Sequence, residues 1–138
     1  RKALILARMM GWQKEMGDIQ LESMVPADLA QDNMPLDQFM ATGLQSLDKA
    51  MEEKVQAAKA KGAVLRYAAT LEGGACKVGI VEVSRDTPLG RLRGTDNILT
   101  VDSEIYSPSP LVIQGRGAGP MCTALGVLAD AVEIFNQK

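Results

Sequence analysis

Three features of this 138-residue sequence have residue types that could do chemistry: Lys2 in an otherwise apolar stretch, glycines at 115, 117 and 119, and the thiols of Cys76 and Cys122. Histidine is absent. Without imidazole there is no Ser-His-Asp triad, no Cys-His pair, no zinc site with histidine ligands and no histidine acid–base step. Lysine, carboxylate, tyrosine or cysteine side chains must therefore carry any reaction. The two cysteines lie far apart and fit no metal or redox spacing. They read as reduced thiols, and no metal site is expected.

The run Leu111-Val112-Ile113-Gln114, followed by Gly115-Arg116-Gly117-Ala118-Gly119, reads as a strand, a glycine-rich turn and a helix start. Bare backbone N–H groups and the helix dipole make such a corner attractive to anions. The dinucleotide fingerprint, however, has its third glycine one position later and needs a further strand and an acidic residue downstream. Too little sequence follows Gly119 for a complete Rossmann unit, so the corner is either a tight packing turn or a ligand contact. Lys2 has two readings as well: its amine reaches water, or it stays partly buried with a partner. Gly94-Thr95-Asp96-Asn97 reads as a turn held by side-chain hydrogen bonds. The eight methionines read as adaptable core filling.

The elements that must position these residues follow from periodicity. Residues 2–10 are apolar nearly all round, which predicts a helix buried on most sides and stopped by Gly11. Ile19, Leu21 and Ser23 alternate with polar neighbours in a short strand running into Val25-Pro26. Residues 27–34 read as a loop. Pro35 opens a short helix whose Leu36, Phe39 and Met40 share a face and which Gly43 closes. A second helix spans about 46–61, with Ser46 as its N-cap and an apolar stripe of Leu44, Leu47, Met51, Val55 and Ala58. The period then becomes two. Strands from 64 to 71 and 76 to 83 flank Glu72-Gly73-Gly74-Ala75, a hairpin turn. Residues 86–93 form a turn or single helical turn, 97–103 and 111–114 are strands, and a last helix runs from about 120 to the end.

Segregated helices and strands predict an α+β fold, an open and mostly antiparallel sheet with helices on one face, in one domain over 1–138. Apolar residues make up 46% and charged residues 23%, with a net charge of -2. That is the composition of an ordinary globular domain. Scattered charge and few aromatic residues speak against a nucleic-acid partner. No apolar run approaches the roughly 20 residues of a membrane span, and Arg8 cuts the opening apolar run too short for a signal peptide. Cytoplasm is the default location, with a plastid as the other. The first helix begins without a capping residue, as the interior of a longer chain would.

Taken in order, Arg1-Lys2-Ala3-Leu4-Ile5-Leu6-Ala7-Arg8, Leu21 to Pro26, Val64-Leu65-Arg66-Tyr67, Pro88-Leu89-Gly90 with Gly94-Thr95-Asp96-Asn97, and Pro110 through Gly119 resemble the C-terminal part of homoserine dehydrogenase. Thr123-Ala124 and Gly126 to Asp130 fit the same pattern, and the resemblance covers essentially the whole chain. It implies an oxidoreductase that interconverts aspartate 4-semialdehyde and homoserine with NADP or NAD, on the route to threonine, methionine and isoleucine. It also implies a homodimer. In the family a Rossmann domain precedes this region, a substrate-binding and dimerisation domain follows, and the C-terminal helix, here 115–138, packs back on the cofactor domain. Some members carry an aspartokinase upstream.

Lys2 matches the lysine closing the family's Asp-Val-Ala-Arg-Lys motif, the proton donor and acceptor at the substrate. Gly119 matches the last glycine of the Gly-x-Gly-Ala-Gly turn, which contacts the cofactor. Pro120 and Leu125 depart from commoner family residues. Hydride delivery to an aldehyde carbon leaves negative charge on oxygen, which a nearby ammonium stabilises and protonates. Free lysine titrates at about 10.4, so exchange near neutrality needs desolvation, which an apolar helix around Lys2 would supply. The alternative is a non-catalytic α+β module for small-molecule binding or dimerisation, although the usual βαβ repeat of amino-acid-sensing modules is absent.

Overall fold

The computed structural model describes residues 1–30 and 34–137. It divides into two compact units, Arg1–Arg85 and Asp86–Lys138. The first unit contains α1 (Lys2–Met9), β1 (Ile19–Leu21), α2 (Leu36–Gln38), α3 (Leu44–Ala60), β2 (Ala63–Glu72) and β3 (Ala75–Ser84). The second contains β4 (Asp96–Val101), β5 (Leu111–Arg116) and α4 (Pro120–Asn136). The fold is α+β. Its strands form a three-stranded sheet in the order β1-β3-β2 and a two-stranded β4-β5 ribbon.

The long hairpin nucleates the first sheet. β2 and β3 pair antiparallel from Ala63↔Ser84 to Glu72↔Ala75, which leaves Gly73-Gly74 as a two-residue turn. Both glycines have positive φ, +55° and +78°. That is the demand of the hairpin turn whose twist matches its strands, and only glycine meets it twice without strain. β1 joins the other edge of β3 in parallel, with Ile19 opposite Cys76 and Leu21 opposite Val78. The Glu22 N–H extends that ladder to the Val78 carbonyl at 2.8 Å. The Tyr67 hydroxyl donates to the Glu22 carbonyl at 3.2 Å, so the chain leaving β1 is held from β2 as well.

Strand register puts Ala63 and Cys76 on the same face of the sheet. Both are nearly fully buried, with Ala3, Leu4 and Ala7 of α1 and Ala58 of α3, so the helices cover that face. Small side chains dominate this core, which lets helix backbones approach the sheet closely. On α3, Leu47, Met51 and Val55 are half-buried, and the predicted stripe continues to Ala58. Leu44 falls off it, 42% exposed.

Two helix expectations are corrected. The helix over 2–10 is buried on one face only: Ala3, Leu4 and Ala7 face the sheet, while Ile5 is 59% and Met9 79% exposed. The helices expected on either side of Gly43 are continuous, because a π-helical segment, Phe39–Gly43, joins α2 to α3. Gly43 is buried in helical geometry, φ -62° and ψ -44°, and a Cβ there would stand 2.7 Å from the Phe39 ring, so this glycine serves close packing instead of termination. Ser46 is accordingly not an N-cap. Its hydroxyl donates back to the Gly43 carbonyl at 2.7 Å within the helix. In the loop expected at 27–34, Ala27–Leu29 is a 3₁₀ turn, and positions 31–33 lie outside the described residues, as does position 138 at the end of the last helix.

In the second unit the segment after Asp86 is a turn, one of the two forms expected over 86–93, with the Arg91 N–H on the Thr87 carbonyl at 3.0 Å. β4 and β5 pair antiparallel from Asp96↔Arg116 to Val101↔Leu111. No helix of the described residues is long and apolar enough to cross a membrane.

Candidate functional site: Lys2 and the glycine turn

Lys2 is the first residue of α1, and its side chain is exposed. The helical period explains this. Positions 3, 4 and 7 point to the sheet, whereas 2, 5 and 9 follow one another along another face. Lys2 therefore heads an open strip continued by the exposed side chains of Ile5 and Met9. Among the described residues it forms no ion pair, whereas Arg8 pairs with Glu15 at 2.8 Å and Lys61 with Glu82 at 3.1 Å. The expectation that α1 itself desolvates Lys2 is corrected, because the helix turns its buried face elsewhere. Arg8 holds the chain after α1 through Glu15 and through the Lys14 carbonyl, 3.1 Å from its Nε.

Gly119 belongs to the second unit, directly ahead of α4. Its φ of +136° and ψ of 144° lie in a region essentially reserved for glycine. A Cβ at this position would meet nothing within 4 Å, so the backbone is bare on the side a larger residue would fill. Pro120 occupies the first helical position, where its missing N–H costs nothing. No side chain caps α4, so the next N–H groups of its first turn lack a capping acceptor. An open glycine backbone beside an uncapped helix start fits an anionic group such as the pyrophosphate of a dinucleotide.

The turn is tied to the ribbon behind it. The Gly117 N–H donates to the Thr95 carbonyl at 3.0 Å, and the Gln114 amide donates to the Asp96 carboxylate at 3.0 Å. The expectation that Gly94-Thr95-Asp96-Asn97 is a turn held by side-chain hydrogen bonds is corrected, because only 94 and 95 form the turn while Asp96 and Asn97 begin β4, and local sequence carries no signal of this attachment. Only strand register brings 95–97 beside 115–117. Cys76 is buried in the first unit and Cys122 exposed in the second, both as free thiols. Among the described residues no cluster of three or more cysteine and carboxylate side chains is placed to hold a metal ion.

The class is that of an α+β portion of a protein, with an exposed lysine in its first unit and, separately, a bare glycine turn in its second. The chain belongs to the homoserine dehydrogenase family, whose model matches residues 1–132. A bifunctional aspartokinase/homoserine dehydrogenase of Haemophilus influenzae is 41% identical over 136 residues, covering 99% of this chain and 16% of that protein. A homoserine dehydrogenase of Paracoccidioides brasiliensis is 36% identical over 140 residues, covering 99% of this chain and 37% of that one. A crystal structure of a Candida auris protein of unknown function superimposes with a TM-score of 0.82 at 35% identity, covering 96% of this chain and 37% of that chain. The chain thus spans between about a sixth and two-fifths of the length of these relatives.

Proposed function

We propose that this chain is the catalytic, substrate-binding and dimerising portion of an enzyme that interconverts aspartate 4-semialdehyde and homoserine, in the biosynthesis of threonine, methionine and isoleucine. Bound NADP or NAD supplies or accepts the hydride, and a Rossmann domain elsewhere in the parent protein holds most of that cofactor. Lys2 acts at the substrate oxygen. In the reducing direction its ammonium lies against the carbonyl oxygen, offsets the negative charge that develops there and donates the proton that completes the alcohol. In the oxidising direction its amine takes that proton back. Gly119 brings bare backbone to the cofactor.

The observation that carries this reading is the strip of Lys2, Ile5 and Met9 on the outer face of α1. An apolar strip that ends in an amine leaves Lys2 hydrated until another surface closes over Ile5 and Met9. That closure would withdraw the amine from water as the site assembles. On this reading the chain by itself does not turn over. α4 supports the same arrangement. Its Met121, Val127, Ile134 and Phe135 are each more than 60% exposed, and a helix apolar on this scale calls for a covering surface, which we assign to the cofactor domain.

Dimerisation is assigned to the first sheet. β2 is an edge strand ten residues long, and the sheet face turned from the helices holds an open groove lined by Gln20, Ala68, Thr70, Lys77 and Val81. Light scattering on the chain should return the mass of a dimer, and a monomer would remove this part of the proposal. The catalytic assignment is tested in the intact parent enzyme by Lys2→Ala. Turnover should fall by a factor on the order of 10³, with cofactor binding nearly unchanged. Near-normal turnover would sink the assignment.

A further inference from the structure

Nothing lies within 4 Å of where a Cβ on Gly119 would be, and on its helix side the Thr123 hydroxyl and N–H both donate to its carbonyl at 3.1 Å. Whatever fixes its conformation must act through the chain on either side. Ahead of it, Gly117 is held hard. A Cβ on Gly117 would overlap the carboxamide of Asn97, meeting its Nδ2 and Cγ and coming 2.8 Å from Oδ1. The Asn97 amide therefore lies directly over the Gly117 Cα. Register makes this possible: Asn97 is opposite Gly115 in the ribbon, which places its side chain beside the strand as the chain leaves β5.

That contact is one of three. The Thr95 carbonyl takes the Gly117 N–H at 3.0 Å, and the Asp96 carboxylate takes the Gln114 side-chain amide at 3.0 Å. Residues 95–97 thus grip the turn from Gln114 to Gly117 by a carbonyl, a carboxylate and a carboxamide. Two of these grips fall on Gly117, two residues ahead of Gly119, so the ribbon holds the turn on one side of Gly119 while Thr123 holds its carbonyl on the other. Of the three glycines in the turn, Gly117 alone would collide with a side chain in this way, since Gly115 and Gly119 both have open space.

We infer that Asn97, packed on Gly117, is a positioning residue that sets Gly119 and the first turn of α4 for the nicotinamide dinucleotide. The inference rests on the reading of Gly119 given under Proposed function. Asn97 touches no reacting atom. Its effect passes through the backbone, and it explains why the middle glycine of the run is needed as well as the last: a side chain at 117 and the amide of Asn97 compete for one space.

The test uses the intact dehydrogenase with Gly119→Ala, Gly117→Ala, Asn97→Ala and the double variant Asn97→Ala/Gly117→Ala. For each, the KM of the cofactor, the KM of homoserine and the melting temperature are measured. Gly117→Ala should raise the cofactor KM about tenfold and leave the homoserine KM within about twofold, and Asn97→Ala should raise it about threefold. In the double variant the methyl occupies the space the amide has left, so its cofactor KM should not exceed that of Asn97→Ala. A cofactor KM unchanged by Gly119→Ala would overturn the reading of Gly119 and this inference with it. A cofactor KM raised by Gly119→Ala but not by Asn97→Ala would overturn the inference alone. So would a double variant in which the single effects multiply, or a lower melting temperature with no change in cofactor KM. Should Gly117→Ala fail to fold, Asn97→Ala and Asn97→Ser carry the test.

Discussion

The units before and after Arg85 handle apolar surface in opposite ways. In residues 1–85, two helices lie on one face of a three-stranded sheet, and all six of the most buried apolar side chains, Ala3, Leu4, Ala7, Ala58, Ala63 and Cys76, belong to this unit. In residues 86–137, β5 and α4 are exposed along their full lengths, although α4 is the most apolar of the long helices. The first unit has a core of its own. The second has a backbone framework, the β4–β5 ladder and the turn it grips, and its apolar side chains face outward. Burial supplies most of the free energy of folding, so the first unit carries its own source of stability, while the second would gain one only from the covering surface proposed for α4.

The largest effect that tests this contrast is on chemistry. Lys2→Ala in the intact enzyme should lower kcat by a factor on the order of 10³ and spare the cofactor KM, whereas changes at Gly119 should do the reverse. If Lys2→Ala altered the cofactor KM instead, the assignment of proton transfer to the first unit and cofactor contact to the second would break down.

Packing provides the next test. Leu4 is 8% exposed and, among the described residues, is the one large aliphatic side chain in the core, so Leu4→Ala should cost about 2–4 kcal/mol in urea unfolding of the chain. Leu128 is 59% exposed, and Leu128→Ala in the same chain should change stability by less than about 0.5 kcal/mol. If α4 docks as proposed, the same Leu128 change in the intact enzyme should cost at least about 1 kcal/mol, because docking would bury it. Equal effects in chain and enzyme would show that α4 stays uncovered.

A smaller difference should appear in amide hydrogen exchange. β3 is central in its sheet, paired on both edges, and its amides should exchange at least about tenfold more slowly than those of β4 and β5. Comparable rates would remove the distinction between the units. The smallest effect belongs to the exposed pair of Lys61 and Glu82: Lys61→Ala should cost no more than about 0.5 kcal/mol in thermal unfolding.

Much of this architecture is legible in local sequence. The Gly73-Gly74 turn, the period-two runs on either side of it and the stripe of Leu47, Met51, Val55 and Ala58 are each written within a few residues, and each forms where the pattern predicts. Gly43 misleads because a glycine inside a helical pattern reads as a stop, while its actual constraint is the Phe39 ring. The apolar run after Lys2 misleads for a related reason. Apolar residues all round a helix predict burial all round, yet only the face of Ala3, Leu4 and Ala7 has the sheet to pack on. The parallel pairing of the three-residue β1 with β3 leaves no periodic trace at all.

The candidate site divides along the same line. Lys2 and Gly119 can be named from residue type and motif, because the amine and the bare backbone belong to the residues themselves. Whether Lys2 is buried, and what holds the turn ahead of Gly119, depends on partners distant along the chain. Tertiary structure puts Lys2 on the outer face of α1 and lays Asn97 over Gly117. Local order follows from the spacing of neighbouring side chains and the allowed φ/ψ of each residue. Burial and long-range contact follow from which surfaces the folded chain brings together, and the sequence pattern around a single residue does not contain that information.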